Sequence, residues 1–273
     1  MATLSFNPDR KVKSGDSVVI TATFTENLDA SPTIKLTGPG ITLVGPVAMT
    51  ATGNPLVWTY TWAVPTGDGS VAIEIIALDL AGNSGTTNGT RTVDNTAPSV
   101  SGYTLNGNAA NAFFDPNDPA SVIIVINANE PVKFNFERIC LQSDVNCTTG
   151  VREFTQVTSF QPSNTETWNG KNTGDVAVVA DGVYKIKVRI VDEAGNQTTI
   201  EELLPHKITV DTISPALTGP SNPVADTVYK TDPPLQFTPN DSATAVTCSY
   251  KIDGGSAVPV TCTAGTPVST TIV

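Results

Sequence analysis

Two aspartates at repeated turns have the clearest chemical potential in this sequence. Strands with alternating apolar side chains end in the pattern Asp-x-Ala-Gly-Asn at residues 79–83 and again at residues 192–196. Strand parity places Asp79 and Asp192 in the register of the inward-facing apolar side chains. A carboxylate in that position must accept hydrogen bonds or bind a cation. Two alternatives therefore stay open, a turn in which the aspartate accepts backbone amides and a Ca²⁺ site.

The Ca²⁺ alternative draws on a second repeated motif. Thr92-Val93-Asp94 and Thr209-Val210-Asp211 each follow one of the turns, and each has a proline four residues after its aspartate. Ca²⁺ takes roughly six to eight oxygen ligands. We expect any such ion to be held by Asp79 or Asp192 together with Asp94, Asn95 or Asp211. The second hinge has a threonine in place of Asn95, which makes it the poorer candidate. No other cofactor is predicted.

The four cysteines form two local pairs, Cys140 with Cys147 and Cys248 with Cys262. The segment inside the second pair has the pattern of two short strands around a glycine turn. A turn centred on Gly255 puts Cys248 and Cys262 directly opposite each other across the hairpin, as a disulfide requires. Free thiols remain the alternative. Two disulfides indicate an oxidising compartment, so the sequence predicts an extracellular or cell-surface location.

The sequence gives little support to catalysis. His206 is the one histidine of the chain, and no serine lies in a Gly-x-Ser-x-Gly setting. Nucleophilic catalysis needs such a base beside its nucleophile. A glycosidase needs two facing carboxylates, and nothing singles out a pair among the 26 acidic residues. We therefore expect a protein that is not an enzyme.

Composition favours an all-β protein of several domains. The chain has 273 residues with 21 Gly, 20 Pro and only 15% charged residues, which leaves little material for amphipathic helices. A net charge of −11 with 15 Lys plus Arg argues against nucleic-acid binding. No apolar run reaches the roughly 20 residues needed to span a bilayer, so no membrane insertion is expected. Residues 1–9 lack the pattern of a secretion signal, and we expect Met1 to begin an excerpt from a longer chain.

The two proline-containing hinges divide the chain into three predicted units, residues 1–97, 98–214 and 215–273. Pattern predicts strands at 17–24, 33–36, 41–44, 57–64, 71–78 and 90–93 in the first unit. In the second it predicts separate strands at 122–126 and 132–136, then one at 183–191. The third unit has no Asp-x-Ala-Gly-Asn turn and is too short for a full two-sheet core. It is either truncated or completed by a strand from elsewhere.

Several of these motifs resemble those of a known family. Residues 13–20, the strand end at 23–26 and the turn at 77–83 together resemble the bacterial Ig-like repeats of large surface and secreted proteins. The second unit resembles the FlgD-type Ig-like variant through residues 114–118, 130–133, 168–170 and 181–184. Phe113-Phe114-Asp115-Pro116 departs from the usual Ser-Pro-Asn-Gly start of that variant.

The resemblance implies tandem immunoglobulin-like β-sandwiches, two complete and one partial. It also implies a structural or adhesive spacer, a rod of modules in cell-surface architecture, adhesion or filament assembly. Its partners would be other Ig-like domains of the same or neighbouring chains. A surface receptor or a glycan is a further possible partner.

The alternative function is a ligand-binding module for a carbohydrate or a host protein. Its site would be the Cys140–Cys147 loop or the aromatic face of Trp58, Tyr60 and Trp62. Sandwich core is the favoured interpretation of that face, because the opposite face of the strand is rich in threonine. An intramolecular isopeptide bond is a third idea, for which only Lys13 or Lys133 can be nominated.

Overall fold

The computed structural model describes residues 2–38, 41–117, 121–200, 206–222, 234–241, 246–252 and 255–271. All regular secondary structure among these residues is β-strand, so the chain is an all-β protein. No helix that could cross a membrane occurs in these ranges. The strands form two complete sandwiches followed by a smaller unit.

The first unit is a sandwich of two four-stranded sheets. One sheet has the order β1-β2-β6-β5, with strands at Ala2–Asn7, Ser17–Phe24, Val57–Ala63 and Thr50–Ala51. The other has the order β4-β3-β7-β8, with strands at Ile41–Ala48, Thr33–Gly38, Gly69–Leu78 and Ser84–Val93. All of these pairings are antiparallel. This distribution of strands is that of the immunoglobulin fold with one extra strand in the second sheet.

Alternation along the strands explains this core. In β2 every second side chain is buried, and the inward face of β7 shows the same pattern. Trp62 projects from β6 into the core and is 2% exposed. Trp58 and Tyr60 are partly buried and pack against the same cluster. The aromatic face is therefore core, as favoured from the sequence. Each large side chain buried in this way contributes about 1.5–3 kcal/mol.

The second unit joins its two sheets through one long strand. The structure has a single strand, β11 (Val122–Leu141), where the sequence predicted separate strands at 122–126 and 132–136. Its first half pairs with β9 (Val100–Leu105) and β13 (Gln161–Trp168). Its second half pairs with β14 (Gly182–Val191) and β12 (Arg152–Glu153). The prediction of two strands was wrong because β11 passes from one sheet to the other without a loop, through register shifts around residues 127–132.

Short strands complete the second sheet of this unit, namely β10 (Ala112–Phe114), β15 (Gln197–Ile200) and β16 (Ile208–Val210). Trp168 is fully buried and meets Phe114 and Tyr184 edge to face, with ring centroids 5.6 and 5.3 Å away. Its indole N–H donates to the Lys171 carbonyl at 2.9 Å. The ring thus attaches the following turn to the core.

The third unit has two small sheets among its described residues. One consists of β17 (Ala216–Asn222), β18 (Pro234–Asn240) and β21 (Val268–Thr271), and the other of β19 (Cys248–Tyr250) and β20 (Val258–Val260). Val268 is its one hydrophobic side chain in the buried set of the described residues. Whether the unit is truncated or completed by another strand stays a prediction.

Both predicted disulfides are present. Cys140–Cys147 has a Cα–Cα distance of 5.5 Å, and Cys248–Cys262 has one of 6.1 Å. The predicted register of the second hairpin was wrong, because Cys248 lies opposite Val260 rather than opposite Cys262. The hairpin reverses one residue earlier than expected, and the bridge forms beyond the end of β20.

Candidate functional site

The two repeated turns contain the same hydrogen bonds. Asp192 accepts the Asn196 backbone N–H on Oδ1 and the Asn196 amide on Oδ2, each at 2.8 Å. Asp79 makes the same two bonds with Asn83, also at 2.8 Å each. The Asn83 side chain, with the backbone N–H groups of the turn, lowers the pKa of Asp79. Both turns therefore adopt the amide-accepting alternative that the sequence left open.

The turn of the second unit lies against the first unit. Arg10 donates to the Ala194 carbonyl at 2.8 Å, and Lys13 donates to the Gly195 carbonyl at 2.5 Å. A bond runs in the reverse direction from the Asn196 side-chain amide to the Asp94 carbonyl, at 2.8 Å. Ala194 is completely buried in this contact. The two units are thus joined by hydrogen bonds donated from both sides.

Three carboxylates meet at the centre of this junction. Asp94, Glu130 and Asp192 each place a carboxylate oxygen within 4.8 Å of the others. Asp192 is 1% exposed, whereas the other two are partly buried. The Lys11 ammonium lies 3.3 Å from Asp94 and 3.7 Å from Glu130. Lys11 thus pairs with two of the three carboxylates.

The charges at the junction perturb one another. Burial raises the pKa of Glu130, and the neighbouring Asp94 charge raises it further while Lys11 works against it. Burial disfavours the charged ammonium of Lys11, but its hydrogen bond to Asp94 and the nearby acidic charges outweigh this, so its pKa is raised. Burial and the Asp94 charge together thus outweigh the opposing effect of Lys11 on the pKa of Glu130.

The basic segment at residues 10–13 is held in place by its own unit. Arg10 forms an ion pair with Asp16 at 3.0 Å, and the Lys13 backbone N–H donates to the same carboxylate at 3.1 Å. These bonds hold the Arg10 side chain and the Lys13 main chain within the first unit. The residues that contact the turn are therefore preorganised.

Both linkers are fastened by an aspartate of the preceding unit. Asp68 accepts the Asn95 backbone N–H and, at 2.9 Å, the Thr96 hydroxyl. Asp181 in the second unit accepts both the N–H and the hydroxyl of Thr212, at 3.0 and 2.9 Å. The same device thus closes the end of each sandwich.

The structure distributes the proposed Ca²⁺ ligands unevenly. It brings Asp94 and Asp192 together. Asn95 instead uses its side chain within the first unit, where Oδ1 accepts the Ser14 N–H at 2.7 Å. Asp79 lies at the opposite end of the β7–β8 hairpin from Asp94, since β7 pairs with β8 from Gly69–Val93 to Leu78–Ser84. Asp211 lies at the second linker, where its carboxylate accepts the Ile213 N–H at 3.1 Å.

Sequence reasoning missed Glu130 as a member of this cluster. The signal was available, because Glu130 continues the inward parity of Ile124, Ile126 and Ala128 in β11. This is the same argument that singled out Asp192. Followed along the chain beyond residue 126, the same parity would have found the third carboxylate.

The disulfide loop is held by cations of the neighbouring strands. Lys185 and Lys187 donate to the carbonyls of Val145 and Asn146 at 3.0 and 2.9 Å. Arg138 donates to the Cys147 carbonyl at 2.9 Å. The Val145 side chain at the loop tip is 76% exposed. These bonds hold the loop in place, and the apolar side chain of Val145 is exposed at its tip.

Other candidate residues have structural environments. The His206 ring lies 5.6 Å from the Tyr103 ring, and its carbonyl accepts the Tyr103 hydroxyl. Lys133 lies over the Phe160 ring at 4.6 Å, and Lys13 is at the junction. These contacts give Lys13 and Lys133 non-covalent roles.

One buried acidic group lies away from the junction. Glu137 in β11 is 4% exposed, and its Oε2 accepts the Asn164 amide at 3.0 Å. The same amide donates to Glu166 at 3.1 Å. The Glu137 Oε1 atom has no hydrogen-bond partner among the described residues. Burial, reinforced by the Glu166 charge, raises the pKa of Glu137 to about 7.

No protein-family model and no curated protein matches the chain. Among solved structures, it aligns with a tetra-tandem repeat in the extending region of a large adhesion protein. The identity is 16%, the TM-score is 0.32, and the alignment covers 98% of this chain and 64% of that one. This chain therefore spans less than two thirds of the length of that structure.

Two further alignments cover most of both chains. A 1.5-MDa bacterial ice-binding adhesin gives 16% identity and a TM-score of 0.34, over 100% of this chain and 86% of that one. An I-band fragment of titin gives 13% identity and a TM-score of 0.35, over 94% and 82%. The assignment of the fold rests on the strand order of the two sandwiches, not on these alignments.

Proposed function

We propose that this chain is a stiff spacer segment of a bacterial extracellular or cell-surface protein, and that it acts by holding Ig-like units end to end. The observation that carries the proposal is the interlocked first junction. Arg10 and Lys13 of the first unit bind carbonyls of the second, and Asn196 of the second binds a carbonyl of the first. Such bonds oppose bending at the linker. The two disulfides support an oxidising environment.

Residual dipolar couplings of the full chain test the stiffness. If the first two units move as one body, a single alignment tensor fits the couplings of both. Replacing Arg10 and Lys13 together by Ala removes two charge-assisted bonds, each worth about 1.5–3 kcal/mol in favourable settings. We expect the two units of this variant to need separate tensors. Lys35→Ala, which removes one positive charge from strand β3, is the control for loss of a cation away from the junction. Separate tensors in the unchanged chain would refute the proposal.

Ca²⁺ at the first junction is part of the proposal. Asp94 and Asp192 of the predicted set would supply ligands, and Glu130 would be the third carboxylate. A divalent cation would offset both the burial and the neighbouring Asp94 and Asp192 charges that raise the pKa of Glu130. We expect Ca²⁺ to raise the melting temperature, Asp94→Ala to reduce that rise and Glu74→Gln to leave it unchanged. Two results together would show that Ca²⁺ has no role at this junction. EDTA would leave the melting temperature of the untreated chain unchanged, and Ca²⁺ added to the EDTA-treated chain would leave it unchanged as well.

The assignment of the second unit to the FlgD-type variant remains a finer proposal. It is supported by the packing of Trp168 on Tyr184, which joins two of the motifs that carry the resemblance. A functional role in filament assembly would follow from that assignment. Adhesion is the broader proposal, and it does not depend on the variant.

Recognition of a host protein or glycan by the Cys140–Cys147 loop is the second candidate. The fixed loop with its exposed Val145 favours this site over the aromatic face, which is core. Binding of the full chain to immobilised glycans and extracellular-matrix proteins tests it. We expect Val145→Glu to abolish any binding found, while Leu80→Glu in the first unit leaves it intact. Equal loss in both variants would exclude the loop.

A further inference from the structure

The turn at residues 79–83 has the internal bonds of the junction turn but a different environment. Ala81, Gly82 and Asn83 are exposed, and Leu80 is 70% exposed. Neither the Ala81 nor the Gly82 carbonyl accepts a hydrogen bond from the residues that the structure describes. Ala194, the counterpart of Ala81, is fully buried. The turn at residues 192–196 is thus in contact with another unit, whereas the turn at residues 79–83 is exposed.

The space beside the two glycines shows the same contrast. A methyl group added at Gly195 would lie 3.7 Å from the Lys13 ammonium nitrogen, because that side chain lies across the turn. A methyl group added at Gly82 would meet nothing within 4 Å. Lys13 therefore occupies the space beside Gly195, and the corresponding space beside Gly82 is empty of described residues.

Strand register identifies a second shared element, a glutamate two residues beyond the register partner of the first residue of the unit's first strand. In the first unit Ala2 lies opposite Phe24, two residues before Glu26. In the second unit Val100 lies opposite Ala128, two residues before Glu130. Glu26 is thus the counterpart of the Glu130 that Lys11 contacts across the junction.

These elements form one concave surface at the end of the first unit. Glu26, Asp79 and Asn83 line a cavity of about 160 Å³, together with the apolar side chains of Phe24 and Leu28. The surface is acidic and offers free main-chain acceptors. Its chemistry matches that of the docked end of the second unit.

We propose that this surface, residues 26–29 with 79–83, is a docking face for the end of a further Ig-like unit. The inference rests on the proposed function, because its template is the first junction. The occupant must supply what the first unit supplies there, namely cations equivalent to Arg10, Lys11 and Lys13 and a linker carbonyl equivalent to that of Asp94. An Ig-like unit with such a basic segment complements the surface in charge and in hydrogen bonding.

The test adds one such unit to the full chain. Residues 2–99 are repeated directly ahead of Ala2, which copies the native spacing because Val100 is the register counterpart of Ala2. The added copy carries Leu80→Val, a conservative change at an exposed position, so that its peptides differ in mass. Hydrogen exchange is then measured by mass spectrometry for residues 79–83 of the native first unit and for residues 192–196 in the same molecule.

We expect the added unit to slow exchange in residues 79–83 by about tenfold or more, towards the protection of residues 192–196. Replacing Arg10 and Lys13 by Ala in the added copy alone should remove this gain, and Lys35→Ala in that copy should not. Ala81→Arg in the native first unit should also remove it.

The outcomes separate the two proposals. Exchange in residues 79–83 that does not change on adding the unit overturns the docking face, provided that residues 192–196 are protected. Unprotected residues 192–196 in the native chain would instead refute the stiff junction, and the docking face with it. A gain that survives the change of Arg10 and Lys13 also overturns the inference, because it would not come from the basic segment.

Discussion

The buried carboxyl of Glu137 predicts a pH-dependent stability for the second unit. Its pKa is about 7 in the folded chain, against an ordinary value of 4.5. Below about pH 4.5 the group is protonated in both states and costs nothing. As pH rises from there to about 7, the unfolded chain ionises first, so stability is lost. Above pH 7 the loss is complete, and the 2.5-unit difference corresponds to about 3 kcal/mol at 1.36 kcal/mol per unit.

Glu137→Gln mimics the protonated carboxyl at every pH. The Gln carbonyl can accept the Asn164 amide, and its NH₂ group can donate to Glu166, which a carboxylate cannot do. We expect the variant to be more stable than the unchanged chain by up to about 3 kcal/mol at pH 8 and by less than about 0.5 kcal/mol at pH 4.5. The gain should develop between these two pH values.

The assay must report on the second unit alone, because the chain has several domains. Urea unfolding read by pulsed hydrogen exchange gives separate transitions for peptides from β13 and β14. Glu74→Gln removes one negative charge from the first unit and controls for the change in net charge. An equal gain at pH 4.5 and pH 8, or no gain at pH 8, would refute the assignment of the raised pKa to burial of Glu137.

Two further predictions concern the backbone and the disulfide loop. Gly45→Ala should destabilise the first unit by more than about 3 kcal/mol, because its φ is +87° and the new methyl would lie 2.3 Å from the Ile34 carbonyl oxygen. Gly15→Ala, with φ of +89° and no neighbour within 4 Å, should cost only about 1–2 kcal/mol, and equal losses in urea unfolding would contradict the steric argument. Replacing Cys140 and Cys147 by Ala should lower the urea stability of the second unit by about 2.5 kcal/mol; a loss confined to the loop, with the midpoint for β14 unchanged, would show that the bridge does not support the core.

The sequence predicted the sandwiches well because their strands alternate strictly. Strand β2 has the predicted bounds, 17–24, and the buried side of β7 follows parity. The prediction failed at β11, because the segments at 122–126 and 132–136 are two parts of one strand. Strand β1 was missed although Ala2, Leu4 and Phe6 alternate with polar residues in the sequence. Local pattern thus identifies the strands but not the sheet to which each half of a strand belongs.

The candidate site was predicted only in part, because it is assembled from two units. Parity along one strand showed that Asp192 points inward. Nothing in one sequence showed that Arg10 and Lys13, about 180 residues earlier, lie against that turn. The hinge residue Asp94 was placed correctly because it follows the last strand of its unit. Contacts across a linker depend on the angle between the units, which sequence pattern does not contain.

Glu137 and Asp192 both place a carboxylate at an inward position, and the protein accommodates the two groups differently. A carboxylate at an inward position must be hydrogen-bonded, neutralised or exposed. Glu137 is buried within its own unit, and burial raises its pKa to about 7, which favours the neutral carboxyl. Asp192 lies beside Asp94 of the first unit, and their carboxylates have oxygens within 4.8 Å of each other. Separating the units would expose Asp192 to water, so the docked turn should be the part of the second unit whose protection depends most on the presence of the first.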